Sequence, residues 1–137
     1  MRNLGLDIGD KRIGVAISDP EQILASPLAT IVRDDDDKAI DAIIVLVNKY
    51  DVRKIIIGFP YSLNGNVGKQ ASKVQAFVDK LSNHTKTDIE LRDERLSTVA
   101  VDRLLMEAGM KSRKRKEQRD AAAAAYILQG YLDSLKT

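Results

Sequence analysis

The stretch NLGLDIGDKRIGVAISD, residues 3–19, restricts the fold more than any other part of the chain. It reads as two short strands joined by a tight polar turn. Leu4, Leu6 and Ile8 alternate with Asn3, Gly5 and Asp7, and Ile13, Val15 and Ile17 alternate with Gly14, Ala16 and Ser18. Side chains of a strand point to opposite faces with period two, so each strand has one bulky face and one small face. Asp7 stands on the small face beside Gly5, and pairing as a hairpin puts Gly14 and Ala16 next to it. Burying a carboxylate there costs several kcal/mol unless a cation or hydrogen bonds compensate. The sequence offers Asp7 no local partner, so the compensation has to come from elsewhere in the chain.

The rest of the chain supplies three more strands and the helices to cover them. Residues 25–32 (ASPLATIV) read as a third strand, and residues 34–37, four acids, lead into an apolar-periodic segment at 39–47. Acids before such a segment favour a helix N-terminus through capping and the macrodipole. Residues 54–58 (KIIIG) have the all-apolar character of a parallel strand covered on both faces. The turn FPYSLNGNVG follows, then a helical stripe of Ala71, Val74, Phe77, Val78 and Leu81. Residues 87–92 read as a fifth strand ending in Asp93 and Glu94. Ser97 or Thr98 is placed to cap a helix stopped near Gly109. Residues 110–119 are polar and basic, and a last helix is expected from near Asp120, with five alanines and then Ile127, Leu128, Tyr131, Leu132 and Leu135. Strands early and β–α alternation late predict an α/β fold, a mixed sheet flanked by helices, in one domain over residues 1–137.

Composition narrows the function classes. The chain has 137 residues, a net charge of only +2 and no cysteine, which excludes disulfides and thiolate metal sites and suits a reducing cytosol. The first residues carry an acid within a strand pattern and are not expected to be a signal peptide. No apolar run approaches the ~20 residues of a membrane span.

Chemistry concentrates at Asp7, Glu94 and Asp120, each at the edge of an expected element. Counting from Asp120, Ala123, Ala124, Ile127, Leu128 and Tyr131 share its helical face, so Asp120 projects from the sheet-facing stripe. The alanines let that helix approach closely, bringing Asp120 toward the carboxyl ends of the strands, where open α/β sheets place their sites. Three ionised carboxylates share a small site only around a cation. Oxygen ligands without His or Cys suit Mg²⁺ or Mn²⁺, and a pair of such ions activates a water and stabilises a leaving oxygen in phosphoryl displacement. Taken singly, Asp120 as a helix N-terminal acid and Glu94 as a surface partner of Arg92 or Arg95 have simpler accounts. Asp7 has none.

The segments LGLDIGDKRIGVAISD, IIIGFPYSLNG, DERLST and DAAAAAYILQGYL, in this order, resemble the YqgF family over nearly the whole chain. Members of that family are ribonuclease H-like proteins described as Holliday junction resolvases or pre-16S rRNA nucleases. The resemblance implies a five-stranded mixed sheet and a divalent-metal-dependent nuclease. D-I-G supplies Asp7, D-E-R-L-S-T supplies Glu94, and the Asp before the alanines supplies Asp120, as both catalytic residues and ligands of two Mg²⁺ or Mn²⁺ ions. Tyr-Ser-Leu precedes Asn64-Gly65 where the family pattern has a Met before Asn, and the last helix is unusually rich in alanine. Neither departure touches a carboxylate.

KSRKRKEQR, residues 111–119, holds six basic residues against one acid. As a loop before Asp120, its Arg113, Lys114, Arg115, Lys116 and Arg119 are placed to bind phosphates, with Lys11 and Arg12 in the turn after Asp7 as further contacts. The alternative is a solvated loop or helix start. His84, the only histidine, lies in a polar turn (SNHTKT) and is not expected to be a general base. Expected partners are precursor rRNA, with ribosomal subunit precursors, or branched DNA; no membrane is expected, the setting is cytoplasmic, and the protein is a monomer or a homodimer. Competing functions are junction resolution by a two-fold dimer, a binding module without turnover, and an actin-like kinase, a class that needs two such domains.

Overall fold

In the computed structural model, residues 1–60, 68–93 and 112–136 are described, with side chains in the last of these segments from 118 onward. Five strands form one sheet: β1 (Arg2–Ile8), β2 (Arg12–Ser18), β3 (Ala25–Val32), β4 (Val52–Phe59) and β5 (Asp88–Asp93). Their order is β3-β2-β1-β4-β5. The first three strands pair antiparallel, whereas β1–β4 and β4–β5 are parallel. This is the mixed sheet expected from early strands and late β–α alternation.

The two faces of the hairpin divide the molecule. Leu4, Leu6 and Ile8 of β1, with Ile13, Val15 and Ile17 of β2 and Ile55, Ile57 and Phe59 of β4, form one large apolar cluster. Helices α1 (Asp36–Lys49) and α2 (Lys69–Ser82) cover it with Ala39, Ile40, Ile43 and Val47, and with Ala71, Val74, Phe77, Val78 and Leu81. The acid run starts α1 as expected. Asp35 is the N-cap, its side chain accepts from the Asp37 N–H at 2.8 Å, and Asp36 and Asp37 stand in the first turn. Arg33 locks this corner: Nε donates to Asp36 Oδ1 at 2.9 Å, Nη1 donates to the Gly9 carbonyl at 2.9 Å, and the guanidinium lies 4.8 Å from the Phe77 ring centre.

Among the described residues, the small face takes one helix, α3 (Ser112–Ser134). Ala16 and Ile56 of the sheet meet Ala124, Ile127, Leu128, Tyr131 and Leu132 in a second, separate cluster. The backbones come very close. A Cβ on Gly5 would stand 2.8 Å from Leu128 Cβ and 2.9 Å from the Ala124 carbonyl oxygen, and one on Gly14 would collide with the main chain of Asp120. Beyond Ile56 the face turns charged: Lys54 pairs with Glu90 at 3.1 Å, and Lys54 and Arg92 both lie over the Tyr131 ring. At its other flank α3 clamps the β2–β3 loop through Gln129, which accepts from the Ala25 N–H at 2.8 Å and donates to the Ile23 carbonyl at 3.0 Å.

One expectation is overturned. The last helix begins at Ser112, not near Asp120, so the basic run is the first part of α3 rather than a loop. Residues 110–129 contain neither Gly nor Pro, and Lys, Arg, Gln and Glu have nearly the helix propensity of Leu. Helix continues where apolar periodicity stops. Asp120 is therefore in the helix interior, and the account of it as a first-turn acid interacting with the macrodipole is excluded. The expected helix of residues 97–109 lies outside the described residues, as do Asn64 and Gly65.

Two outcomes follow from this packing. Gly14→Ala places a methyl group inside the α3 backbone contact and is expected to cost about 3 kcal/mol, the upper range for overpacking, measured as a fall in urea midpoint at unchanged slope. Asp36 is held below its ordinary pKa of 3.8, first by its hydrogen bond from Arg33. A carboxyl whose pKa is lower in the folded chain contributes stability above the unfolded value and loses it as pH falls through the folded one. The stability difference between wild type and Asp36→Asn should thus be full at neutral pH and shrink as the pH drops below 3.8.

Candidate active site

Asp7 is the last small-face residue of β1, and its partner across the antiparallel ladder is Gly14. Because paired residues share a face, Asp7 and Gly14 both look toward α3. The main chain of Asp120 lies directly over Gly14. Asp7 and Asp120 are thus neighbours on one face of the sheet, near the carboxyl end of β1. Both are half-buried. The stripe expected around Asp120 is the one that packs: Ala123, Ala124, Ile127, Leu128 and Tyr131 are all buried.

β4 and β5 run parallel to β1, with Gly58 opposite Arg92 and Phe59 opposite Asp93. Their carboxyl ends therefore reach the same edge of the sheet. Glu94, the third expected carboxylate, follows Asp93 in the chain and lies outside the described residues. Among the described residues no group of three or more His, Cys, Asp or Glu is arranged to hold a metal ion, so the described part of the site is the aspartate pair. Its chemistry is all oxygen. That donor set fits a hard divalent cation, Mg²⁺ or Mn²⁺, rather than zinc.

Arg12 adds a contact that reasoning from the sequence did not anticipate. It is the first residue of β2, and with Gly14, Ala16 and Ser18 it shares the small-face parity, so its side chain belongs beside Asp7 and Asp120 rather than out in the turn. Its Nε donates to Asp120 Oδ2 at 2.7 Å, with the Arg12 side chain 48% exposed and that of Asp120 22%. The alternation that placed Asp7 carried the same information about Arg12. Lys11, one residue earlier, is exposed at the turn. Arg119 is half-buried in α3, while Arg113, Lys114, Arg115 and Lys116 have their backbone in its first turns and side chains outside the described residues. A groove of about 310 Å³ opens beside Asp120 between β3 and α3, lined by Pro27 to Thr30, Gln118 and Ala121.

His84 stands apart. It is exposed just past the C-terminal end of α2, with Nδ1 2.8 Å from the Lys80 carbonyl oxygen. Since α2 leads from the carboxyl end of β4 back to the start of β5, that point is at the opposite edge of the sheet from Asp7.

Comparison with known proteins agrees with this architecture. Among solved structures, the chain is similar to Fowlpox virus resolvase in complex with substrate Holliday junction DNA, with a TM-score of 0.59 and 16% identity, covering 100% of both chains. It is similar to Thermus thermophilus RuvC in complex with a Holliday junction substrate, with a TM-score of 0.61 and 14% identity over 99% of this chain and 96% of that one. These likenesses show the fold, the ribonuclease H-like sheet. Curated relatives are nearer in sequence. A protein of Desulforamulus reducens named "Putative pre-16S rRNA nuclease" is 46% identical over 134 residues, 98% of each chain. One of Clostridium botulinum strain Hall with the same name is 47% identical over 135 residues, again 98% of each. A family model described as "RuvX: Holliday junction resolvase" matches residues 1–134. With nearly the whole sequence matched and the fold shared, the chain belongs to the RuvX Holliday junction resolvase family of nucleases.

Proposed function

We propose that this nuclease trims the 5′ end of a precursor of 16S ribosomal RNA in the cytoplasm, hydrolysing phosphodiester bonds with divalent cations held by Asp7, Glu94 and Asp120. The observation that carries the proposal is the apposition of Asp7 and Asp120 across Gly14 on one sheet face. The names of the relatives supply the substrate class. Carboxylates brought to the same part of a sheet face favour a shared divalent cation, which offsets their like-charge repulsion. Mg²⁺ or Mn²⁺ ions, when bound, supply Lewis-acid activation of water and charge compensation at the leaving oxygen.

The chain's own residues do the rest. Asp7, on a central strand, and Asp120, on a helix pressed against the sheet, hold fixed positions, which is what orientation of ligands requires. Glu94, which follows β5 in the sequence, is the third ligand of this reading. The first turns of α3 concentrate cations at the positive end of a helix dipole with no acid in the first turn. Each such cation disfavours the helix by about 0.3–1 kcal/mol. A phosphate backbone laid along this end relieves both the mutual repulsion and the dipole penalty, and Lys11 extends the same positive track around the turn. Affinity then comes from phosphate contacts rather than base stacking, since only 4% of residues are aromatic.

A second reading, resolution of four-way DNA junctions, is favoured by the description of the family model. It requires a two-fold dimer presenting two sites to symmetric strands. Both substrates, a 5′-extended 16S rRNA fragment and a synthetic four-way junction, are to be offered to the purified protein with Mg²⁺ or Mn²⁺. RNA cleavage is expected, with junction cutting weaker; symmetric junction cutting with the RNA intact would reverse the order. Asp7→Asn and Asp120→Asn should each lower cleavage by more than about a hundredfold, the limit for residues that only support a ligand, while RNA binding in EDTA survives. Binding without cleavage under any divalent cation would leave a binding module. Arg113→Gln with Arg115→Gln should weaken RNA binding and reduce the slope of log affinity against log salt by about 0.7 for each cation lost.

A further inference from the structure

We propose that Arg12 is an exchangeable counter-cation of the site. Its guanidinium neutralises Asp120 until a divalent cation takes that carboxylate, and the released guanidinium then grips the substrate phosphate. The inference rests on the reading of Asp7 and Asp120 as metal ligands.

The molecule contains a useful contrast in two arginines near the β1–β2 turn. Arg33 is fixed: its side chain is 12% exposed, it donates through both Nε and Nη1, and it stacks on Phe77. Arg12 is 48% exposed and holds Asp120 through Nε. Arg33 also meets its carboxylate through Nε alone, but a second hydrogen bond to the Gly9 carbonyl and the ring stack hold it in place. Arg12 makes a single-donor contact at the rim of the small face, with about half of its side chain in solvent. Such an exposed pair weakens a competing ligand only a few-fold. A divalent cation drawing on Asp120 and Asp7 together displaces it readily. Displacement does not send the arginine far, because β2 keeps its Cα two residues from Gly14 on the face where the aspartates lie. A strong phosphate donor is thereby delivered next to the metal only once the metal has arrived. Substrate grip is coupled to metal loading.

A permanent supporting role for Arg12, orienting Asp120 as a ligand, predicts the opposite sign for metal affinity. The test is an electron paramagnetic resonance titration of Mn²⁺ into the full chain without nucleic acid. Asp120→Asn should abolish the site. Arg12→Gln should bind Mn²⁺ about two- to fivefold more tightly than wild type, the range an exposed ion pair accounts for, and Arg12→Lys should stay near wild type because the charge is retained. A labelled single-stranded RNA then reads the second half by fluorescence anisotropy. Arg12→Gln should lose more affinity in Ca²⁺, which takes the same oxygen donors, than in EDTA. Mn²⁺ affinity unchanged or weakened in Arg12→Gln overturns the exchange, as does an equal loss of RNA affinity with and without Ca²⁺. No Mn²⁺ binding by wild type, or binding indifferent to Asp120→Asn, overturns instead the metal-site reading beneath it.

Discussion

The contact between the α3 backbone and the small face of the β1–β2 hairpin sets the terms for the rest of the structure. Gly5 and Gly14 remove the Cβ atoms that would hold the helix away, and Ala124 and Ala16 keep the layer thin. Dispersion forces fall off within fractions of an ångström, so a helix seated this closely recovers contacts that larger side chains would have supplied. The same closeness fixes where Asp120 can be. An interior position in a 23-residue helix, pinned over Gly14, has little freedom to drift from Asp7. A packing solution is thus also the solution to positioning two carboxylates.

The two faces of the sheet carry different burdens. The bulky face, sealed by α1 and α2, contains most of the fully buried side chains and supplies the bulk of the hydrophobic stabilisation. The small face gives up some of that area. In exchange it admits polar groups at its end: Asp7, Asp120 and Arg12 near the carboxyl end of β1, and Lys54, Glu90 and Arg92 toward the far end of α3. Charged groups tolerated at the rim of a thin layer remain near solvent, which keeps their desolvation cost modest. A site for an anionic polymer needs that openness.

Most of the architecture was legible in the residues. Period-two alternation in β1 and β2, the acid run before α1 and the apolar stripe of α2 each name their element because local chemistry and burial point the same way. The start of α3 was not legible by that route. Its first turns are polar and basic with no apolar periodicity in the sequence, so only propensity reveals a helix there. Asp120 was correctly put on the buried stripe but wrongly put at the helix start. The ion pair from Arg12 to Asp120 joins residues 108 apart in sequence, and the alternation that puts Arg12 on the small face does not name the residue it meets there.

By itself, then, the sequence determined the two-faced hairpin, the class of fold, the family, and Asp7 as the carboxylate on the small face of β1, because these follow from short-range alternation and from motifs carried within single segments. Tertiary structure alone decided that the main chain of Asp120 seats over Gly14, that Arg12 reaches Asp120, and that residues 112–119 are helical. Those facts depend on how closely one helix seats on one sheet face. Such a distance is set by the joint absence of side chains at positions far apart in the chain, and no local pattern encodes it.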